Sequence, residues 1–271
     1  MRRRGLMQRQ PALVGGLACL VVIFVTALGA PWWGTVDPTG IHPISRLREP
    51  SAESWFGTDQ YGRDIYSRTL YGGRISLLVG ITVSAVSVAI GVGIGLVTGY
   101  YRRVDAIVMR VMDGLMAIPA ILLALALMAL LKASVRNVII ALVIPEIPRV
   151  VRLVRASVLS LREHNMVEAA RAMGARTPRI LALYVLPALV APLIVQGTNI
   201  CASAILFEAY LSFLGAGTPP DIPSWGNIMA EGRAYVQRAF WIIFFPGAFL
   251  AATVLAVNLV GDGLRDLLKV K

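Results

Sequence analysis

Five stretches of this 271-residue chain are apolar enough, and long enough, to fill a bilayer, which leaves few folds open. Ala12 to Ala30, Ile75 to Tyr101 and Phe240 to Val260 carry no charge; Ala106 to Leu131 is apolar beyond Asp113, and Ala188 to Leu214 carries only Glu208. A hydrocarbon core about 30 Å thick takes roughly 20 helical residues to cross. Backbone N–H and C=O groups in lipid must pair within their own element, so such stretches are read as helices. A sixth span is expected from Ser134 to about Arg149, apolar apart from Arg136 and Asn137 before "PEIPRVVRLVR". It is short for a bilayer, and calls for thinning or tilt of its neighbours.

Charge sets the orientation. Only 15% of residues are charged, against about 25% in soluble domains, yet the net charge is +11. With six spans and the N-terminus (Arg2, Arg3, Arg4, Arg9) inside, seventeen Lys and Arg fall on the inner side and nine on the outer. That is the positive-inside pattern, and the basic excess is read as loop bias with no nucleic-acid partner. Without the sixth span, the seven-arginine stretch between 149 and 179 would lie outside. The expected fold is an all-α integral membrane protein with both termini in the cytoplasm. Residues 1–74 hold the tail, first helix and outer loop, and 75–271 hold a five-helix core. The opening arginines, apolar run and "ALGA" also suit a secretory signal. The run of about 18 exceeds the roughly 7–15 of a signal and favours a retained helix. Cys19 and Cys201 lie in apolar runs and offer neither a disulfide framework nor metal spacing.

The longest inner loop, 160–187, is patterned. Ser160 with Glu163, or Asn165 with Glu168, fits a capping box. Met166, Ala169, Ala170 and Met173 recur at helical spacing, Gly174 suits a C′ position, and Thr177-Pro178 reads as N-cap and first turn of a second helix that Pro187 closes. The small-residue face suits a protein partner, or an amphipathic helix lying on the membrane. On the outer side, Tyr61, Ile65 and Thr69 would share one helix face and Asp59, Arg63 and Asp64 the other. That pattern fits an interfacial helix or a specific contact.

At membrane depth, Glu208 must face the bundle or a water-filled path. Asp113 is expected to pair with Arg110 one turn away. Asn199 and Asn258 are candidates for interhelical hydrogen bonds or the path. Pro119, Pro192 and Pro246 are read as kinks. Gly91, Gly95 and Gly99 share a face that should press against another helix. No G-x-x-x-x-G-K-[ST] exists, so the chain has no P-loop of its own.

"EAARAMGARTPRILALYVLP" resembles the EAA loop of ATP-binding-cassette importer permeases. "FGTDQYGRDIYSRTLYGGRISL", "LSFLGAGTPPDIPSWGNIMAEGR" and "NLVGDGLRDLL" are similar to further blocks of the dipeptide and oligopeptide permease subfamily, in the same order. The resemblance implies a type I importer-like permease of six transmembrane helices with a cytoplasmic coupling helix. Glu168, Ala169, Ala170, Arg171, Met173 and Gly174 would dock on an ATPase, with Tyr184, Leu186 and Pro187 behind them. Tyr184 stands where relatives often have histidine. The implied partners are a second related permease in a heterodimer, two ATPase subunits that bind ATP and Mg, an extracytoplasmic solute-binding protein and the inner membrane of a prokaryote. The chain itself would bind no cofactor, and the implied cargo is di- or oligopeptides. The competing readings are a self-contained secondary carrier, for which no internal repeat is seen, and an intramembrane enzyme. For the latter, His42 and His164 lie on opposite sides and no H-E-x-x-H occurs.

Overall fold

Asp64 starts the longest helix: its carboxylate accepts from Ser67 N at 2.8 Å and Ser67 Oγ at 2.6 Å. This computed structural model describes residues 11–269, so Arg2, Arg3, Arg4 and Arg9 lie outside the described residues. Helix α1 is Pro11–Leu28, α2 Ile65–Tyr100, α3 Arg102–Met116, α4 Ala120–Leu130 and α5 Val135–Leu161. The short α6 (Asn165–Ala172) and α7 (Thr177–Ile180) follow, then α8 Leu186–Phe213, α9 Trp225–Gly232 and α10 Trp241–Lys269.

Helix α1 lies along α10. A Cβ built at Gly16 would stand 3.0 Å from the Ala256 carbonyl, so glycine sets the approach. Arg74 of α2 donates to the Ala27 and Leu28 carbonyls at 2.7 Å each and closes the C-terminus of α1.

Helix α2 begins ten residues outward of Ile75. The residues before it form a loop, which corrects the expected helical face through Tyr61: Asp59, Tyr61 and Arg63 are not helical. The glycine face packs as expected, against α5. Cβ atoms built at Gly91, Gly95 and Gly99 would lie 2.5, 2.6 and 2.5 Å from the Cβ atoms of Val150, Val154 and Val158. Every pair is offset by the same interval, so the two helices run parallel with their axes as close as side chains permit.

Helix α5 is longer than expected at 27 residues. Ser134 caps it, accepting from Asn137 N at 3.1 Å. It passes Pro145 and Pro148 without stopping, since the buried valines beyond them hold it against α2. Ser160 therefore lies in its last turn and caps nothing, which corrects the Ser160–Glu163 box. Four helical runs are long and apolar enough to cross a bilayer, and the bent pair α3–α4 makes a fifth. The sixth, α5, has the length but carries Glu146, Arg149, Arg152 and Arg155. Glu146 is buried and accepts from Arg149 at 3.1 Å.

Pro119 does more than kink its run: α3 and α4 meet at 88°. Helix α3 is then tied to α5 by two ion pairs. Asp113 pairs with Arg152 at 2.6 Å, which corrects the expected Arg110 partner, and Asp105 pairs with Arg155.

Pro187 does not end a helix either. It has no N–H to give and crowds the Leu183 carbonyl. The chain answers with a π-helical turn over Leu181–Val185 and continues into α8, so Thr177–Phe213 forms one run of 37 residues. Arg176, not Thr177, occupies the N-cap of α7.

Helix α9 is inserted between α2, α8 and α10. Its first residue lies deep, with Trp225 N donating to Ser76 Oγ at 3.4 Å and Trp225 Nε1 to the Thr69 carbonyl at 2.9 Å. Its far end lies at the rim, where Glu231 meets Arg68. Asn227 holds the preceding loop by donating to the carbonyls of Thr218, Pro219 and Ile222 at 2.9–3.1 Å.

Candidate functional site

Helix α6 is positioned by what it buries. His164, in extended conformation, offers its carbonyl to Val167 N at 2.9 Å and Glu168 N at 3.1 Å; Asn165 is already helical and does not cap. Val167 and Ala170, each 1% exposed, pack into the cluster that holds Val154, Val158, Ile180 and Val185. Ala170 thus faces the bundle, a correction to the expected docking face. Outward stand Met166, Glu168, Ala169, Arg171, Met173 and Gly174, with Met173 78% exposed.

The helix stops where Gly174 takes φ +83°. Gly174 N donates to the Arg171 carbonyl at 2.8 Å and Ala175 N to that of Ala170 at 3.0 Å, a Schellman closure. Tyr184 is half-buried against the same cluster as Val167, while Leu186 and Pro187 are exposed.

Tyr100, unnoticed in the sequence, braces both sides of this loop. Its hydroxyl accepts from Arg171 at 3.4 Å and Thr177 at 3.2 Å, and the Arg171 guanidinium sits 5.6 Å from its ring. Tyr100, Arg162, Glu163, Glu168 and Arg171 line an open cleft beside this loop. An exposed helix with small and flexible side chains, clamped to α2 by a tyrosine and to α5 by two buried apolar groups, can carry a push into the bundle.

Glu208 lies wholly inside the chain. Ser76 Oγ donates to one carboxylate oxygen at 3.1 Å and Ser212 Oγ to the other at 2.9 Å. The buried N-terminus of α9 points at the same place, and its amides and dipole favour a negative group there. Of the two readings, bundle and path, the structure takes the bundle. Glu208→Leu leaves the buried Ser76 hydroxyl without its acceptor and Ser212 with Thr218 alone, at 3.3 Å, and should destabilise by about 2 kcal/mol. Glu208→Gln retains an acceptor and should cost much less, both read as melting temperatures in detergent. Asn199 is exposed on α8 and Asn258 half-buried on α10.

A second buried polar group ties the outer loop to the bundle. Asp59, fully buried, accepts from Arg63 Nε and Arg68 Nη1 at 2.6 Å each. Arg68 Nη1 also reaches Glu231 at 2.7 Å, and Arg63 pairs with Glu231 as well. Arg68 and Glu231 were not singled out in the sequence, because the partners lie more than 160 residues apart.

A family profile described as "Binding-protein-dependent transport system inner membrane component" matches residues 89–270. A probable peptide ABC transporter permease protein of Sinorhizobium fredii is 50% identical over 96% of this chain and 89% of its own length. A dipeptide transport system permease protein of Alkalihalophilus pseudofirmus is 40% identical over 98% and 88%, and an oligopeptide transport system permease protein of Bacillus subtilis 37% over 94% and 84%. Among solved structures, an inward-facing MetNI methionine ABC transporter chain superposes with a TM-score of 0.58 at 20% identity, covering 75% of this chain and 96% of the other.

Proposed function

Because the chain belongs to the family of binding-protein-dependent transport system inner membrane components, we propose that it forms half of a peptide translocation path and takes its motion from ATPase subunits through α6. Membership makes it a multi-pass inner-membrane permease subunit, not an enzyme, that works with another permease and an ATPase. Di- or oligopeptides are the proposed cargo, in keeping with the names of the relatives. The finer assembly proposed is a heterodimer of permeases, two ATPases that hold ATP and Mg, and an extracytoplasmic binding protein. Both termini of this chain would lie in the cytoplasm.

The observation that carries the coupling role is α6, exposed over Met166, Glu168, Ala169 and Met173 and rooted by Val167, Ala170 and Tyr100. Closure of the ATPase pair moves α6 sideways. Val167 and Ala170 pass the displacement to α5, Tyr100 passes it to α2, and the unbroken run from Thr177 passes it to α8. The bundle then switches between inward-open and outward-open packings, since closely packed interfaces are bistable. A self-contained carrier gives α6 no task.

The test is an Ala169→Cys variant in the complex purified from membranes. The thiol should crosslink to an ATPase subunit, a second permease should co-purify, and uptake of a dipeptide into proteoliposomes should need ATP. A complex whose α6 crosslinks to no ATPase, or which imports dipeptide on an ion gradient alone, would overturn the reading.

A further inference from the structure

We propose that one face of α8, carrying Gln196, Asn199, Ser203 and Tyr210, is the wall this chain contributes to the path, and that it passes peptides by uncharged hydrogen bonding. This rests on the permease reading above. At 3.6 residues per turn the four positions fall within about 60° of arc and extend over roughly 21 Å of the axis. Asn199 is exposed, Tyr210 is 54% exposed, and Gln196 and Ser203 are half-buried.

The rest of α8 supplies the contrast. Its other polar side chains are satisfied: Thr198 donates to the Val195 carbonyl at 2.9 Å, while Glu208 and Ser212 bond to each other. The four on this face make no side-chain hydrogen bond among the described residues. Elsewhere α8 exposes Val190 (49%) and Ile194 (36%) along an apolar groove of about 550 Å³ shared with α1 and α2, a surface that suits lipid chains. A hydroxyl or amide left bare in hydrocarbon costs several kcal/mol, so a face with four of them has water, a polar permeant or a partner helix against it. The inner end of the stripe favours water among these. There Gln196 opens into a cleft of about 390 Å³ walled by Leu153 of α5 and Arg265 of α10.

The wall chemistry suits the cargo. A peptide brings main-chain amides along its length and opposite charges at its ends. Amides and hydroxyls bond the former weakly, and a wall with no net charge traps neither terminus. Release is thereby kept fast, the condition any conducting path must meet.

The experiment uses the assembled transporter with Cys19→Ala and Cys201→Ala, and single cysteines at 196, 199, 203 and 210, with 190 and 194 as lipid-side controls. A membrane-impermeant thiol reagent should label the four positions about tenfold faster or more than the controls, because thiolate forms only where water reaches. Dipeptide with binding protein should slow that labelling. Equal rates on both faces, or labelling that dipeptide leaves unchanged, would overturn the wall assignment. ATP-dependent dipeptide uptake measured on the same vesicles judges the importer reading separately. Uptake with an unlabelled stripe removes the wall and leaves the importer, and a labelled, dipeptide-protected stripe without ATP-dependent uptake does the reverse.

Discussion

Asp59→Ala should lower the stability of the folded chain by about 3–5 kcal/mol, the usual cost of removing one partner from a buried ionic group. The reason is local. Asp59 is the only carboxylate in the cluster without exposure; it takes two guanidinium bonds on one oxygen and the Tyr61 and Arg63 amides on the other, at 2.8 and 2.9 Å. Without it, Arg63 and Arg68 share Glu231 alone, and Arg68 is 1% exposed. The outer loop, α2 and α9 lose their common anchor together. Thermal unfolding of the purified complex should show the drop, and limited proteolysis should cut the 40–64 loop sooner. The exposed pair Arg48–Glu53, at 3.9 Å, is the control: Glu53→Ala should change stability by less than about 1 kcal/mol. If the two variants melt alike, the cluster does not anchor the loop.

Ala169→Trp should leave the fold intact and reduce ATP-driven uptake by about a hundredfold or more, the scale on which small misplacements are felt in a coupled site. Ala169 is exposed and points away from the bundle, so the ring would meet only the groove of the proposed ATPase partner. Its neighbour predicts the opposite. Ala170 is 1% exposed among the valines of α5, and Ala170→Trp should reduce folded protein before it reduces coupling. Gly174→Val combines both failures, because valine is strained at φ +83° and the Schellman closure is lost. Folded yield and uptake per folded complex, measured side by side, separate the three. Equal behaviour of the 169 and 170 variants would refute the orientation of α6.

The outline of this architecture was legible in the chain because lipid enforces it. Runs such as Phe240 to Val260 have no alternative to a helix, and the glycines at 91, 95 and 99 announce a close neighbour without naming it. What escaped depends on partners remote in sequence. Asp113 has Arg110 one turn away, yet Arg152 of another helix reaches it first. The length of α5 was hidden because its prolines and arginines interrupt the apolar pattern, while the contacts that carry it onward lie on α2. In the 160–187 loop, Gly174 and the exposed side chains follow from local pattern. The inward turn of Ala170 and the grip of Tyr100 do not, since both are decided by surfaces that spacing alone cannot locate.

The glycine–valine seam has one more consequence. Its repeat is four residues, so if one rod slides a notch, about 6 Å, along the other, two of the three glycine–valine pairs find a like partner again. A zip of so few and such similar teeth fixes its alignment only weakly. The teeth that differ are elsewhere: Asp105 and Asp113 of α3 hold Arg155 and Arg152 of α5, and Arg68 of α2 holds Asp59 of the preceding loop and Glu231 of α9. These fasteners act as the index pins of a vernier. None of them crosses the seam: α5 is pinned to α3, which follows α2 directly at Tyr101, and α2 is pinned to α9, so each rod is indexed through a neighbour and a transporter that must travel between discrete poses keeps its two central rods from creeping.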